Sequence, residues 1–323
     1  MDLSNEVNLI CPTGNFQEDI KIKRTVDTKI GIYTIDKLIG EGGYGSVYSV
    51  TSIKENKKYA MKIEKQTRDR RSPKLKMEVM ILKKLLTINR PRPHFVKMYD
   101  RCKKNDYFLI VMDLLGPNLF DLKKRSKNFT FSESTAFNVA IQCLESLEDL
   151  HKFNYIHRDI KPANFAVGIG DDNGIVYLID FGLARYILNG EGSLKTPREA
   201  CKFKGTIRYA SLSTHKGLES GTKDDVEAWI YMFIEFLPQV QLPWMTVCRL
   251  NDIMKKKQMI RKEWGRVFNS TRFDKLRLLL DYVDSLTYAN KVDYNYIYGV
   301  INGIASDNNI DLSKPLDWTV KKT

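Results

Sequence analysis

The 323-residue chain is poor in cysteine, in histidine and in long apolar runs. Its five cysteines (Cys11, Cys102, Cys143, Cys201, Cys248) are far apart and odd in number, which argues against a disulfide framework and offers no close thiolate pair for zinc. Such usage suits a reducing, cytoplasmic setting. No stretch approaches the roughly 20 apolar residues that a membrane span requires. The opening Met1-Asp2-Leu3-Ser4-Asn5-Glu6 lacks the charged and apolar regions of a secretory signal, and none is expected. No internal repeat is evident. Acid is also in deficit: 39 Asp and Glu against 52 Lys and Arg leave a formal charge of +13. That surface attracts anions of many kinds, from nucleotides to acidic polypeptides, and charge alone does not choose among them. Apolar residues make up 43% of the chain, enough for a sizeable core and for more than one domain.

What is present centres on His157-Arg158-Asp159-Ile160-Lys161-Pro162-Ala163-Asn164. This loop combines an acceptor, a cation and a carboxamide oxygen. Phosphoryl transfer needs the same three: an acceptor for the attacking hydroxyl's proton, a cation for the developing charge and oxygen ligands for a hard metal. Alone the octapeptide reads equally well as a polar loop closed by proline. Its neighbours decide.

The first 28 residues read as a polar extension, and ordered structure is expected from Ile30. Alternating residues from Ile30 to Ile39 and from Ser46 to Val50 indicate two strands around Gly40-Glu41-Gly42-Gly43-Tyr44-Gly45. A dinucleotide-binding glycine turn should lead into a helix. Here a second strand follows, which favours a hairpin flap over phosphates. A third strand over 58–64 carries Lys62, and a helix over 75–86, with Pro73 near its start, carries Glu78 as its only acid. A buried ammonium wants a carboxylate, so these two are expected to pair. Strands are further expected at 96–99 and 107–112. The Gly116-Pro117 turn then marks the change from strand-rich to helix-rich composition. The spacing of Phe137, Ala140, Ile141, Leu144, Leu147 and Leu150 predicts a buried helix leading to the loop, with Cys143 in its core. Beyond the loop, an apolar strand over 175–179 delivers Asp180-Phe181-Gly182, an acid at a strand mouth suited to Mg2+.

In this order and context the motifs resemble those of eukaryotic protein kinases, over about residues 30 to 305. The resemblance implies an α+β, bilobal fold, with a small antiparallel β-sheet N-lobe bearing one main helix (29–112) and a larger, mainly helical C-lobe (113–305), followed by a tail (306–323). It implies Mg-ATP as the phosphate source, Asp159 as catalytic acid/base, Lys161 on the γ-phosphate, and Asn164 and Asp180 on Mg2+. Lys62, paired with Glu78, would grip the α- and β-phosphates. Nucleotide contacts are implied for Ile39, Gly40, Gly42, Gly45, Val47, Ala60 and Ala166, with Met112 as gatekeeper and backbone groups of Asp113 and Leu115 at the adenine edge. Thr206 should bridge Asp159 and Lys161, as in Ser/Thr kinases. Asp225 should brace the catalytic loop, and His157 is expected to be structural. Glu227, Ala228 and Ile230 depart from the commoner residues of that helix, which bears on its packing rather than on the chemistry.

The activation segment ends in Gly205-Thr206-Ile207-Arg208-Tyr209-Ala210-Ser211 rather than Ala-Pro-Glu. With Leu114-Leu115-Gly116-Pro117-Asn118-Leu119 and Gln241-Leu242-Pro243-Trp244, this resembles the casein kinase 1 group. Lys161-Pro162-Ala163-Asn164-Phe165-Ala166 and Tyr231-Met232-Phe233-Ile234-Glu235-Phe236 are most similar to its tau-tubulin kinase branch. Arg158, Lys202, Lys204 and Arg208 suit acidic or already phosphorylated Ser/Thr substrates. The alternative is a catalytically weak kinase-fold scaffold, which usually loses Lys62, Asp159 or Asp180. The basic stretch from Arg249 to Arg277 reads as a solvated helix pair; a nuclear targeting signal is its second reading, and nucleic-acid binding is not expected. A monomer acting on protein substrates is expected, with Pro315-Leu316-Asp317-Trp318 docked on its body.

Overall fold

The computed structural model describes residues 25–320 apart from residue 29 and segments 43–44, 66–73, 92, 104–106, 239 and 269–271. Gly43 and Tyr44 of the glycine flap, Pro73 and most of the N-terminal extension lie outside these residues. The chain divides into two compact units.

The first unit holds the described residues up to Leu86 together with Val96–Leu115. Its strands are β1 (Thr25–Asp27), β2 (Ile32–Gly42), β3 (Gly45–Ser52), β4 (Lys58–Lys65), β5 (Met98–Lys103) and β6 (Tyr107–Met112). They form one antiparallel sheet in the order β1-β2-β3-β4-β6-β5. Alternation explains the sheet: Tyr48, Val50, Tyr59, Met61, Ile63, Leu109 and Val111 make one apolar cluster. Helix α1 (Lys74–Leu85) buries Leu75, Ile81, Leu82 and Leu85 in this unit.

Two strand expectations need correction. Ordered structure starts before Ile30, because β1 pairs with β2 and Val26 is fully buried; three residues are too few to show a period. The strand expected at 96–99 is β5, displaced toward polar residues. Phe95 and Val96 are buried outside it, while Asp100 turns inward and accepts a hydrogen bond from the Tyr33 hydroxyl at 3.3 Å.

The second unit comprises Thr87–Phe95 and Gly116 onward. The division therefore falls after Leu115 rather than Met112, and Thr87–Phe95 belongs with the larger unit. The reason is local bonding: the His94 carbonyl accepts from Leu178 N at 2.9 Å, and Arg90 Nε lies 2.6 Å from the Asp149 carboxylate.

The larger unit is mainly helical, with α2 (Leu119–Arg125), α3 (Glu133–Lys152), α4 (Leu212–His215), α5 (Thr222–Phe236), α6 (Leu250–Lys262), α7 (Trp264–Phe268), α8 (Arg277–Ser285) and α9 (Tyr294–Asp307). Two small antiparallel ladders pair β7 (Tyr155–Ile156) with β10 (Arg185–Tyr186), and β8 (Phe165–Val167) with β9 (Val176–Leu178). Helix α3 is capped by Ser132, which accepts from Thr135 N, and buries the expected stripe except Ile141, which is half-buried, with Cys143 in its core. Burial pushes that thiol well up, as suits a core residue. Helix α5 is buried along nearly its whole length, with Glu227, Ala228 and Ile230 all inside.

The tail docks as expected: Asp317 accepts from Ser132 N and from the Ser132 and Thr135 hydroxyls, and Trp318 packs on Phe131. The basic stretch is not simply solvated. Lys257 is fully buried, and Arg261 turns inward to Glu227 and Asp284. Among the described residues no helix is long and apolar enough to cross a membrane.

Candidate active site

In the smaller unit, strand register aligns the candidate nucleotide residues. Gly40 pairs with Val47, Val47 with Lys62, and Lys62 with Ile110. Ala60, two residues before Lys62, pairs with Met112. Cross-strand partners share a face, and so do alternate residues of one strand. Val47, Ala60, Lys62 and Met112 therefore lie on one face, opposite the apolar cluster of Met61 and Ile63. Lys62 Nζ donates to Glu78 Oε2 at 2.6 Å, and both residues are buried. Glycine is required at Gly45, where φ is +131° and a Cβ would come within 2.1 Å of the Ile63 carbonyl oxygen. Ile39 and Gly40 sit in β2, and Gly42 closes the hairpin opposite Gly45.

After Met112, the Asp113 N–H donates to the Lys97 carbonyl at 3.1 Å. Its carboxylate accepts from Lys97 N and from the Tyr99 hydroxyl. That N–H is thus committed within the protein, which leaves the Asp113 carbonyl as the group suited to an amino donor. Leu115 ends the unit.

In the larger unit both oxygens of the Asp159 carboxylate are engaged. Oδ1 accepts from Thr206 Oγ1 at 2.8 Å, and Oδ2 accepts from Lys161 Nζ at 2.7 Å and Asn164 Nδ2 at 3.2 Å. Asn164 Nδ2 also donates to the Asp159 carbonyl at 2.7 Å. Lys161 Nζ reaches Thr206 Oγ1 at 3.2 Å, so Thr206 bridges the acid and the cation. Asp159 is 8% exposed. The loop is braced by Asp225, the second of two acids in the first turn of α5. Its Oδ2 accepts from His157 N at 2.6 Å and lies 3.0 Å from His151 Nε2, while Oδ1 accepts from Arg158 N at 2.8 Å. Burial alone would raise the Asp225 carboxyl; His151 and the bonds to the loop hold it below the usual carboxylate range.

Two left-handed residues flank this chemistry, Arg158 (φ 66°) and Asp180 (φ 63°). Non-glycine residues adopt that region at a cost, and such strain gathers at functional sites. The Asp180 carboxylate accepts from Gly182 N at 3.3 Å, and Ile179 N donates to the Asn164 carbonyl at 2.9 Å. The chain leading to Asp180 is thereby pinned to Asn164. With Nδ2 of Asn164 turned to Asp159, its amide oxygen is left for a metal. An amide oxygen and a carboxylate are the hard donors magnesium takes, so these residues fit that ion. Ala166 is buried in β8 and bridges to Asn118. His157 is a core residue: its ring meets Phe181, and Nε2 lies 3.2 Å from the Ile179 carbonyl.

Sequence reasoning missed three features of this unit. Gly205 (φ +95°) lets the activation segment approach the loop, where a Cβ would stand 2.5 Å from the Arg158 carbonyl oxygen. Glu227 Oε1 accepts from Leu212 N, the Tyr231 hydroxyl and Arg261 Nη2 at 2.9, 2.6 and 2.9 Å. It anchors the end of the activation segment where the Ala-Pro-Glu acid is missing. Its departure from the commoner residue was the available signal. The third is the buried Lys257, beside His215.

Burial, with the Lys257 charge second, draws His215 down from 6.5 to about 4. Between those values the unfolded chain binds a proton that the folded protein refuses, so stability present above pH 6.5 is lost as pH falls toward 4. We expect about 2 kcal/mol to disappear between pH 7 and 5 from this group. Thermal melting should show it, and His215→Gln should flatten the dependence; equal slopes in both proteins would contradict the assignment.

The fold and this loop define a phosphotransferase. A family model described as the protein kinase domain matches residues 33–284, and the chain belongs to that family. Its relatives narrow the class. A Dictyostelium discoideum protein named a probable serine/threonine-protein kinase is 33% identical over 90% of this chain; the chain spans 57% of that protein's length. Serine/threonine-protein kinase spe-6 of Caenorhabditis elegans is 33% identical over 87% of this chain and 73% of its own. Another C. elegans protein, provisionally named a casein kinase I, is 34% identical over 79% of this chain and 76% of its own. The domain is that of an ATP-dependent protein serine/threonine kinase.

Proposed function

We propose that the chain is a casein kinase 1 group enzyme of the tau-tubulin kinase branch, which phosphorylates acidic or already phosphorylated Ser/Thr sites. The observation that carries the mechanism is the Asp159 carboxylate, tied on both oxygens to Thr206, Lys161 and Asn164. Asp159 orients the substrate hydroxyl and accepts its proton as the γ-phosphoryl group moves. Lys161 steadies the charge that gathers on that group, and Thr206 keeps acid and cation in register. Asn164 and Asp180 would hold the magnesium, which when bound would neutralise phosphate charge. On the smaller unit, Lys62 with Glu78 takes the α- and β-phosphates, the Gly40, Gly42 and Gly45 backbone covers them, and Ile39, Val47, Ala60 and Met112 line the base. The Asp113 carbonyl and Leu115 N–H would meet the adenine edge, and Ala166 is assigned to the nucleotide by resemblance to the family alone. We place the enzyme in the cytoplasm, with the nucleus as the second location, acting as a monomer.

The substrate preference is supported by a cationic cluster. Burial, followed by repulsion from Arg185, lowers Arg158; burial and the Arg158, Arg198 and Arg185 charges lower Lys204. Glu219 answers part of this charge, at 3.4 Å from Arg185 and 2.5 Å from Arg198. Arg208, whose Nη2 donates to the Met245 carbonyl, is included by its place in the activation segment. A phosphorylated residue near the acceptor would neutralise such a group with charge-assisted bonds. Arg185→Ala and Arg208→Ala should each lower kcat/KM for a phospho-primed peptide by about 5- to 30-fold while changing that for its unprimed twin by about twofold or less. Equal losses on the two peptides would count against the preference.

A further inference from the structure

Helix α6 carries a cation where its spacing calls for an apolar residue. Lys257 lies between Ile253 and Ile260 on the inward face and is fully buried. Its Nζ donates to the carbonyls of Ala210 and Ile207 at 2.6 and 3.1 Å and lies 3.2 Å from His215 Nε2. The rings of Tyr231 and Trp244 stand 4.7 and 5.4 Å away. Glu227 and Tyr231 face it from α5, His215 from α4, and Arg261 from its own helix. Burial draws the ammonium down to about 7. A methionine or leucine would fill this space without the cost of burying a charge, but it would leave the Ile207 and Ala210 carbonyls without their donor.

What the ammonium grips is the turn that carries Thr206. Tyr209 N and Ala210 N both donate to the Thr206 carbonyl at 3.0 Å. Lys257 takes the carbonyls of Ile207 and Ala210, and Trp244 Nε1 donates to that of Arg208 at 2.9 Å. The same turn sends the Thr206 hydroxyl to Asp159 and Lys161. We propose that Lys257 is a positioning residue for phosphoryl transfer, fixing the Thr206–Ala210 turn so that Thr206 holds Asp159 and Lys161 in reacting register. This rests on the reading of Asp159 and Lys161 as the reacting pair. Lys257 acts through Thr206 and touches neither substrate nor nucleotide.

The test compares wild type, Lys257→Met, Thr206→Val and the double variant in transfer from Mg-ATP to a Ser/Thr peptide, with folding followed by thermal melting. Lys257→Met should melt below the wild type, because two buried carbonyls lose their donor, but stay folded at the assay temperature and lose about 10- to 100-fold in kcat, with KM for ATP within about twofold, since a small misplacement at a reacting centre is costly. In the Thr206→Val background the same change should cost about threefold or less, because the relay is already cut. An unchanged kcat, or equal losses in the two backgrounds, overturns the proposal. Should Lys257→Met not fold, Lys257→Gln, which keeps amide donors, takes its place with a smaller loss that must again depend on Thr206. An inactive wild type, or an Asp159→Asn enzyme as active as wild type, would instead sink the reading of the reacting pair. Full activity of Lys257→Met beside an inactive Asp159→Asn would sink the positioning role alone.

Discussion

Asp159→Asn is expected to lower kcat by about 10²- to 10⁴-fold, the range associated with a lost general base. The carboxamide is nearly the same size and can still accept from Thr206 or Lys161, so the loop keeps its shape. What disappears is the negative oxygen that takes the hydroxyl proton. Lys161 also loses its ionic partner at 2.7 Å, and one carboxylate oxygen becomes an NH2 that faces donors. KM for ATP should move little, since Asp159 serves the hydroxyl rather than the nucleotide. Steady-state kinetics on one peptide, with melting temperatures of both proteins, separates the cases. A large fall in kcat with an unchanged melt supports the assignment, and a fall that merely tracks unfolding does not.

Asp225→Ala should be the most destabilising single change at the site, by about 3–5 kcal/mol, the range for breaking a buried ionic network from one side. The carboxylate is 2% exposed and receives His157 N, Arg158 N and His151. Removing it leaves two backbone N–H groups and an imidazole buried without their acceptor. It also frees Arg158 from the bonds that hold it at a φ of 66°. The loop should then relax and take Asp159 with it. Asp225→Asn can keep one acceptor and should cost less. Thermal or urea unfolding of the three proteins checks this ranking. The carboxylate is needed ionised, so its contribution is present above the unfolded value of 3.8 and lost as pH falls through its lowered folded value.

Periodicity carried much of the fold. Helix α3 declares itself through a stripe that is buried apart from Ile141, and β6 through six consecutive apolar and aromatic residues at 107–112. The pairing of Lys62 with Glu78 was legible because a lone acid stood on an apolar helix face. The bridge of Thr206 to Asp159 and Lys161 followed from resemblance, as did the brace by Asp225. Other features left no local trace. β1 is too short to show alternation, and β5 hides a buried acid among charged neighbours. Lys257 and Arg261 look like any basic pair on a surface helix. Their inward turn depends on carbonyls and a carboxylate that tertiary packing brings from residues 207–227, far from them in sequence. The left-handed conformations of Arg158 and Asp180 are equally invisible in composition, for neither is a glycine.

The most direct measurement is transfer of radiolabel from the γ-phosphate of ATP to an acidic protein substrate in the presence of magnesium, followed by phosphoamino-acid analysis. Wild-type protein is predicted to give phosphoserine and phosphothreonine, and Asp159→Asn to give neither above background. Label on tyrosine alone, no transfer by the wild type, or equal transfer by both proteins would contradict the account.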